Sequence, residues 1–150
     1  LSRPRQAPPR RRAQTWRKQI TPSIKFLLSI TVALASSAGA AFAGDAAAGE
    51  RVFKKCLVCH EIGPGAKNKV GPLLNGIAGR QAGTIAGYSY STQNKNSGIV
   101  WGEVIFKEYI KDPRAKIPGT KMVGINIRKE SEADDLWEYL KQFDSEGKKK

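Results

Sequence analysis

Cys56, Leu57, Val58, Cys59 and His60 put two thiols and an imidazole inside one pentapeptide. The Cys-x-x-Cys-His spacing is that of covalent c-type haem attachment, with the thiols bonded to the vinyl groups and His60 on the iron. Composition narrows the rest of the coordination sphere, because His60 is the only histidine and Met122 the only methionine. If the iron takes the His/Met pair of electron-transfer proteins, the chain offers one residue for each place. Three other chemistries use the same residues. A thioredoxin-like dithiol pair sits in a βαβ context, of which this sequence gives no sign. A closed zinc site needs four ligands, so two Cys and one His would require a carboxylate or a second chain. A structural disulfide would leave His60 without a role.

These residues need elements to hold them. Asp45 is placed to cap a helix over Ala46 to Cys56, with Ala47, Val52 and Phe53 inward and Glu50, Lys54 and Lys55 in solvent. The haem motif then follows at the end of that helix. From Ile62 to Ser97 the chain is rich in Gly, Asn, Ser and Lys and reads as loop, with one short helix near Leu73 to Ile77. So long a loop suits a domain that wraps something. A second helix is expected over Gly102 to Lys111, with Val104, Ile105, Glu108 and Tyr109 on one face, stopped by Asp112-Pro113. Ile117 to Met122 is again loop. Ser131 is placed to cap the last helix, with Asp134 as its acidic partner. Leu136, Trp137 and Leu140 form its buried face, flanked by Tyr139 and Phe143, and Gly147 to Lys150 reads as a solvated tail. No strand or internal repeat is indicated.

The two ends differ in kind. Residues 1–43 hold eight basic residues and no acidic one. A basic stretch ends at Lys25, an apolar run covers Phe26 to Ala35, and small residues end in Ala41-Phe42-Ala43. That is the order of a secretory signal peptide, with cleavage expected after Ala43. The apolar run falls short of the roughly 20 residues a spanning helix needs, although an uncleaved anchor is the competing reading. The Arg/Pro-rich segment over 1–19 makes the first region unusually long, and the expectation is a misassigned upstream start with the signal beginning near Ile20 to Lys25. The arginines at 10 to 12 lack the apolar context of a twin-arginine signal. The mature part, 44–150, is expected to be one small domain whose modest core a large apolar cofactor would complete. Its charge is +5; the leader supplies the other +8 of the net +13. A lysine-rich surface suits steering toward acidic protein surfaces. No nucleic-acid-binding motif or basic-aromatic array is present.

From Gly44 to about Phe143 the chain resembles the class I cytochromes c, in the bacterial cytochrome c2 and mitochondrial-like branch. The resemblance rests on Gly49 to Phe53 before the Cys56–His60 motif, Val70-Gly71-Pro72-Leu73, Gly79-Arg80, Gly87-Tyr88-Ser89-Tyr90, Asn94-Lys95-Asn96, Trp101, Tyr109, Lys116 to Met122 and Leu136 to Leu140. The Pro118-Gly119-Thr120-Lys121-Met122 segment is its most specific part. The resemblance implies an all-α fold of three to five helices, with long loops wrapped around one haem c bonded through Cys56 and Cys59.

It also implies roles. Met122 would be the second axial ligand, a neutral thioether that favours reduced iron. The Pro72 carbonyl would accept from the His60 imidazole. Arg80, Tyr90 and Trp101 would bind the buried haem carboxylates, which need donors in a dry pocket. Tyr109 would lie near Met122, with Asn94 and Thr120 in the same polar patch. Gly49 and Phe53 would pack against Leu136 and Tyr139. Lys55, Lys69, Lys121 and Lys129, with Arg114 and Arg128, would form a docking ring for acidic redox partners. Such partners would be a cytochrome bc1-type complex and a terminal oxidase or photosynthetic reaction centre. One departure is Gly124, where many relatives carry Phe, which leaves the Met edge without an aromatic cover. The implied function is a monomeric periplasmic one-electron carrier that makes and breaks no substrate bond. A haem peroxidase or small-gas sensor is the alternative if Met122 is labile, and Lys121 is a candidate to replace Met122 at high pH.

Overall fold

The computed structural model describes residues 44–150. The leader, its cleavage after Ala43 and the extension over 1–19 lie outside the described residues. Among the described residues five helices appear in order: α1 (Ala46–Phe53), α2 (Thr92–Lys95), α3 (Glu103–Lys111), α4 (Pro113–Lys116) and α5 (Glu130–Leu140). Among the described residues pairing of β type is limited to two isolated bridges, Gln81 with Val100 and Phe143 with Lys149. No helix among them is long and apolar enough to cross a membrane.

Helix α1 starts as its sequence requires. Asp45 Oδ1 accepts from the Ala47 amide at 2.8 Å, and the Asp45 amide donates to Asp135 of α5 at 2.7 Å. The helix ends at Phe53 rather than Cys56. Successive turns then carry the motif, with Cys56 N bonded to Phe53 O at 2.7 Å and His60 N to Cys56 O at 2.8 Å. Its buried face is Gly49, Val52 and Phe53; Ala47, expected inside, is exposed. The reason is contact rather than hydrophobicity: α1 meets α5 at Gly49, where a Cβ would strike the Asp135 carbonyl.

Aromatic rings join the helices. Phe53 lies 5.4 Å from Tyr139, Phe106 5.2 Å from Trp137, Tyr139 5.3 Å from Phe143, and Trp101 5.0 Å from Tyr109. Such pairs add about 1 kcal/mol each beyond their burial. Leu136 and Leu140 are the most deeply buried side chains of α5. Lys107 on α3 bridges to Asp134 on α5 at 2.6 Å.

Four local expectations are corrected. The face of α3 is Phe106, Tyr109 and Ile110, with Val104 exposed, because Phe106 and Tyr109 have aromatic partners and Val104 has none. Residues 73–77 form no helix; Gly76 sits at φ +61° and the Asn75 side chain is committed to Gly63. Helix α5 begins two residues early, with Lys129 at the N-cap and Ser131 inside the first turn. There Glu130 and Glu132 complement the helix dipole. Finally, the lysines at 148–150 are exposed but their backbone is not a free tail. Asp144 N bonds to Lys148 O and Lys150 N to Gln142 O, both at 2.9 Å.

Helices α2 and α4 were not anticipated. Each is a single capped turn. Ser91 Oγ accepts from Asn94 N at 3.2 Å, and Asp112 Oδ1 accepts from Ala115 N at 3.1 Å. Asp112-Pro113 therefore ends α3 and also opens α4, since Pro suits the first helical position.

Candidate functional site

The turns after α1, the 70–80 loop, α2, α3 and the 120–125 loop converge on one cavity of about 380 Å³. Cys56, Cys59, His60 and Met122 all line it, as do Pro72, Arg80, Tyr90, Asn94, Trp101, Tyr109 and Thr120. Residues separated by more than sixty positions in sequence thus face one space.

His60 is held from two sides. Its Nδ1 lies 2.7 Å from the Pro72 carbonyl oxygen. A carbonyl only accepts, so Nδ1 carries the proton and Nε2 keeps its lone pair. Burial pushes the imidazole below its ordinary pKa; the Pro72 bond opposes that and Lys69 adds to it. The ring is therefore neutral, the state a metal ligand needs. Gly71 supports the ring from below, where a Cβ would collide with the imidazole. Gly71→Ala is expected to tilt His60 away from Pro72 and weaken its iron bond by roughly tenfold or more. The haem-to-protein absorbance ratio after expression checks this, and an unchanged ratio would show that the backbone absorbs the methyl.

Neither cysteine is in a disulfide, and both are half-buried. Burial raises Cys56 to about 11, with Lys55 opposing and Cys59 adding a smaller rise. A dithiol oxidoreductase needs a thiolate at neutral pH, so this environment works against that chemistry.

Met122 is half-buried against the core. Its amide donates to Thr120 Oγ1 at 3.3 Å, and the Thr120 hydroxyl shares a 2.8 Å hydrogen bond with Tyr109. Asn94 is buried beside them, and its Oδ1 has no hydrogen-bond partner. Gly124 is exposed at φ +84° with open space where a Cβ would stand, so the Met edge has no cover at that position. Arg80 donates to the Asn75 and Leu73 carbonyls. Trp101 and Tyr109 meet edge to face, as do Tyr90 and Tyr88, whose centroids are 4.7 Å apart.

The donor set fits a haem. The wall is largely apolar, the two thiols, the imidazole and the thioether all line it, and an unpartnered buried amide oxygen and a guanidinium add polar groups. Lys55 and Lys121 line the cavity's edge. Lys55 pairs with Glu132 at 2.7 Å, and Lys121 Nζ donates to Ser89 O at 2.5 Å. Lys69 Nζ reaches Leu57 O at 2.6 Å. Lys69, Lys129, Arg114 and Arg128 are exposed but do not line the cavity.

Sequence reasoning gave no role to Gly71, Tyr88 or Asn75. Tyr88 lines the cavity and donates to Val70 O at 2.7 Å; its alternation with Tyr90 was the available signal. For Asn75 no local signal exists, because its partner Gly63 is twelve positions away.

A cytochrome c family model matches residues 46–144. Cytochrome c2 of Blastochloris viridis is 62% identical over 117 residues, which is 78% of this chain and 92% of that protein. Cytochrome c-550 of Nitrobacter winogradskyi is 61% identical over 107 residues, covering 71% of this chain and 98% of the relative. Among solved structures, cytochrome c2 from Rhodospirillum centenum superposes with a TM-score of 0.64 at 42% identity, over 67% of this chain and 99% of that one. With the attachment motif and the cavity that encloses it, these matches place the chain in the cytochrome c family, whose members carry one covalently bonded haem c.

Proposed function

We propose that this protein is an exported, periplasmic one-electron carrier that moves between membrane complexes of a respiratory or photosynthetic chain. Its family carries electrons and transforms no substrate. The observation that supports the reading best is the convergence of Cys56, Cys59, His60 and Met122 on one cavity. When bound, haem supplies an Fe(II)/Fe(III) couple.

The chain's own residues do the rest. Cys56 and Cys59 would anchor the group by thioether bonds. His60, oriented by Pro72 and Gly71, would offer Nε2 to the iron, and Met122, held by Thr120, its sulfur. Arg80, Tyr90 and Trp101 would bind the haem carboxylates, with Asn94 and Tyr109 completing the polar wall near Met122. Two fixed ligands would leave little to reorganise on electron transfer. In this reading the leader over 1–43 directs export and is removed after Ala43, leaving 44–150 as the working domain.

A visible spectrum of the exported protein tests the proposal, taken oxidised and then reduced with dithionite. A sharp reduced α-band with a weak far-red band in the oxidised form is expected. No haem absorbance from a host competent in haem attachment would overturn it. A haem spectrum without the far-red band would favour the second reading, a peroxidase or gas sensor, which the uncovered Gly124 position supports. Against that reading, His60 is the only histidine and is held at Pro72, so no second imidazole is left to act as a distal base.

Acidic redox proteins are the proposed partners, with Lys55, Lys69, Lys121 and Lys129 as the docking cations. Changing Lys55 and Lys121 to Gln is expected to slow association with an acidic partner by roughly tenfold at low salt and to flatten its salt dependence. Stopped-flow rates equal to the parent's at every ionic strength would remove these two lysines from the surface.

A further inference from the structure

The last seven residues make a compact turn. Asp144 Oδ1 accepts from the amides of Glu146 and Lys148 at 2.9 and 2.8 Å. Gly147 N bonds to Asp144 O at 3.1 Å, and Lys150 N to Gln142 O at 2.9 Å. Lys149 Nζ lies 5.8 Å from the Tyr139 ring and 5.6 Å from that of Phe143, within reach of a cation–π contact.

This turn is pressed against a clamp. The buried Asn75 side chain takes the Gly63 amide on Oδ1 at 2.8 Å and donates from Nδ2 to Gly63 O at 3.0 Å. Gly147, buried at φ +83°, fits against it so closely that a Cβ would strike Gly63 O and sit 2.6 Å from Asn75 Nδ2. A Cβ on Gly76 would come 3.0 Å from Ser145 Cα. The clamp also holds a residue of the cavity wall: the Asn75 backbone carbonyl accepts from Nη1 of Arg80, which lines the cavity, with Leu73 O as a longer partner at 3.5 Å. The Arg80 main chain is held separately, by Trp101 N to Arg80 O at 2.9 Å and Gly79 N to Trp101 O at 2.8 Å.

We infer that the C-terminal turn is a positioning element for the redox site: it buttresses the Gly63–Asn75 clamp, and the clamp aims the Arg80 guanidinium into the cavity. Because Trp101 pins the Arg80 backbone, loosening the turn frees only the charged end of the side chain. A guanidinium in a poorly hydrated cavity acts strongly on neighbouring charge and holds an adjacent carboxylate ionised. Once freed, it lets the buried carboxylates take up protons nearer neutral pH, and the potential of the site becomes pH-dependent there. The inference rests on the proposed function, which sets Arg80 against those carboxylates.

Two variants test it. Gly147→Val combines the clash with a disfavoured φ; Asp144→Ala is milder and removes the acceptor of two amides. Intact mass first establishes that haem is attached. Amide exchange at Gly63 is then expected to quicken by roughly tenfold or more. The reduction potential should shift and gain a pH slope near neutrality that the parent lacks. Arg80→Lys should reproduce that shift, and Gly147→Val added to it should move the potential no further, as expected of residues acting through one contact. Lys107→Ala, which loosens α3 from α5 without touching the clamp, is the stability control. The inference is overturned if both turn variants track that control in potential and pH slope, or if the Gly147→Val and Arg80→Lys shifts add in full. A parent protein without haem overturns the proposed function and this role of Arg80 with it, and the mass measurement separates that failure from the others.

Discussion

Replacing Met122 with alanine is expected to abolish the far-red band of the oxidised protein and to lower its reduction potential by a sizeable part of the ~0.8 V range that axial ligands span. The chain has no second methionine and no second histidine. The closest alternative donor in sequence, the Lys121 amine, is engaged by Ser89 O. Loss of a neutral sulfur ligand removes the group that favours reduced iron. The attachment should survive, because Cys56, Cys59 and His60 lie on the turns after α1, and the Pro72 bond does not depend on the 120–125 loop. Spectroelectrochemistry with intact mass reads both effects in one preparation. A far-red band retained in Met122→Ala would remove Met122 from the iron, and an unchanged potential would remove it from redox tuning.

How much of this site could be read from sequence depends on how local each part is. The two thiols and His60 share a pentapeptide, so their spacing carried the chemistry directly. The 2.7 Å approach of His60 to Pro72 and the Tyr109–Thr120 bond involve distant residues, and only the family resemblance pointed to them. Helix α1 was visible from its cap, and α3 and α5 from periodicity, but their faces were not wholly so. Periodicity counts apolar side chains, and so favoured Ala47 and Val104. The structure instead buries Gly49 and Phe106, because one permits backbone contact and the other meets Trp137. The C-terminal turn was illegible for a related reason. Its lysines look solvated and are exposed; what fixes it is backbone pairing and a glycine against Gly63, neither of which has a compositional signature.

Gly49 shows how far contact can outweigh propensity, and Gly49→Ala is expected to destabilise the protein strongly. In an exposed helix interior this change stabilises by about 1 kcal/mol, because alanine loses less freedom on folding. Here the added Cβ would strike the Asp135 carbonyl oxygen and lie 2.8 Å from Tyr139 Cβ. A backbone carbonyl cannot rotate aside as a lysine tip can, so α1 and α5 must separate. Overpacking of that kind costs about 3 kcal/mol or more, which outweighs the propensity gain and takes a large share of the 5–15 kcal/mol that holds a domain together. For a domain of this size the thermal midpoint should fall by roughly 10–20 °C. Gly102→Ala is the control, since a Cβ there meets nothing within 4 Å, and its midpoint should stay within a few degrees of the parent's. A displaced α1 also moves the turns that carry Cys56 and Cys59, so Gly49→Ala should lower the yield of haem-loaded protein, read as the haem-to-protein absorbance ratio. A raised midpoint with full loading would show that the helices can part at that crossing without loss, and that the glycine is not what sets the approach of the attachment motif to the core.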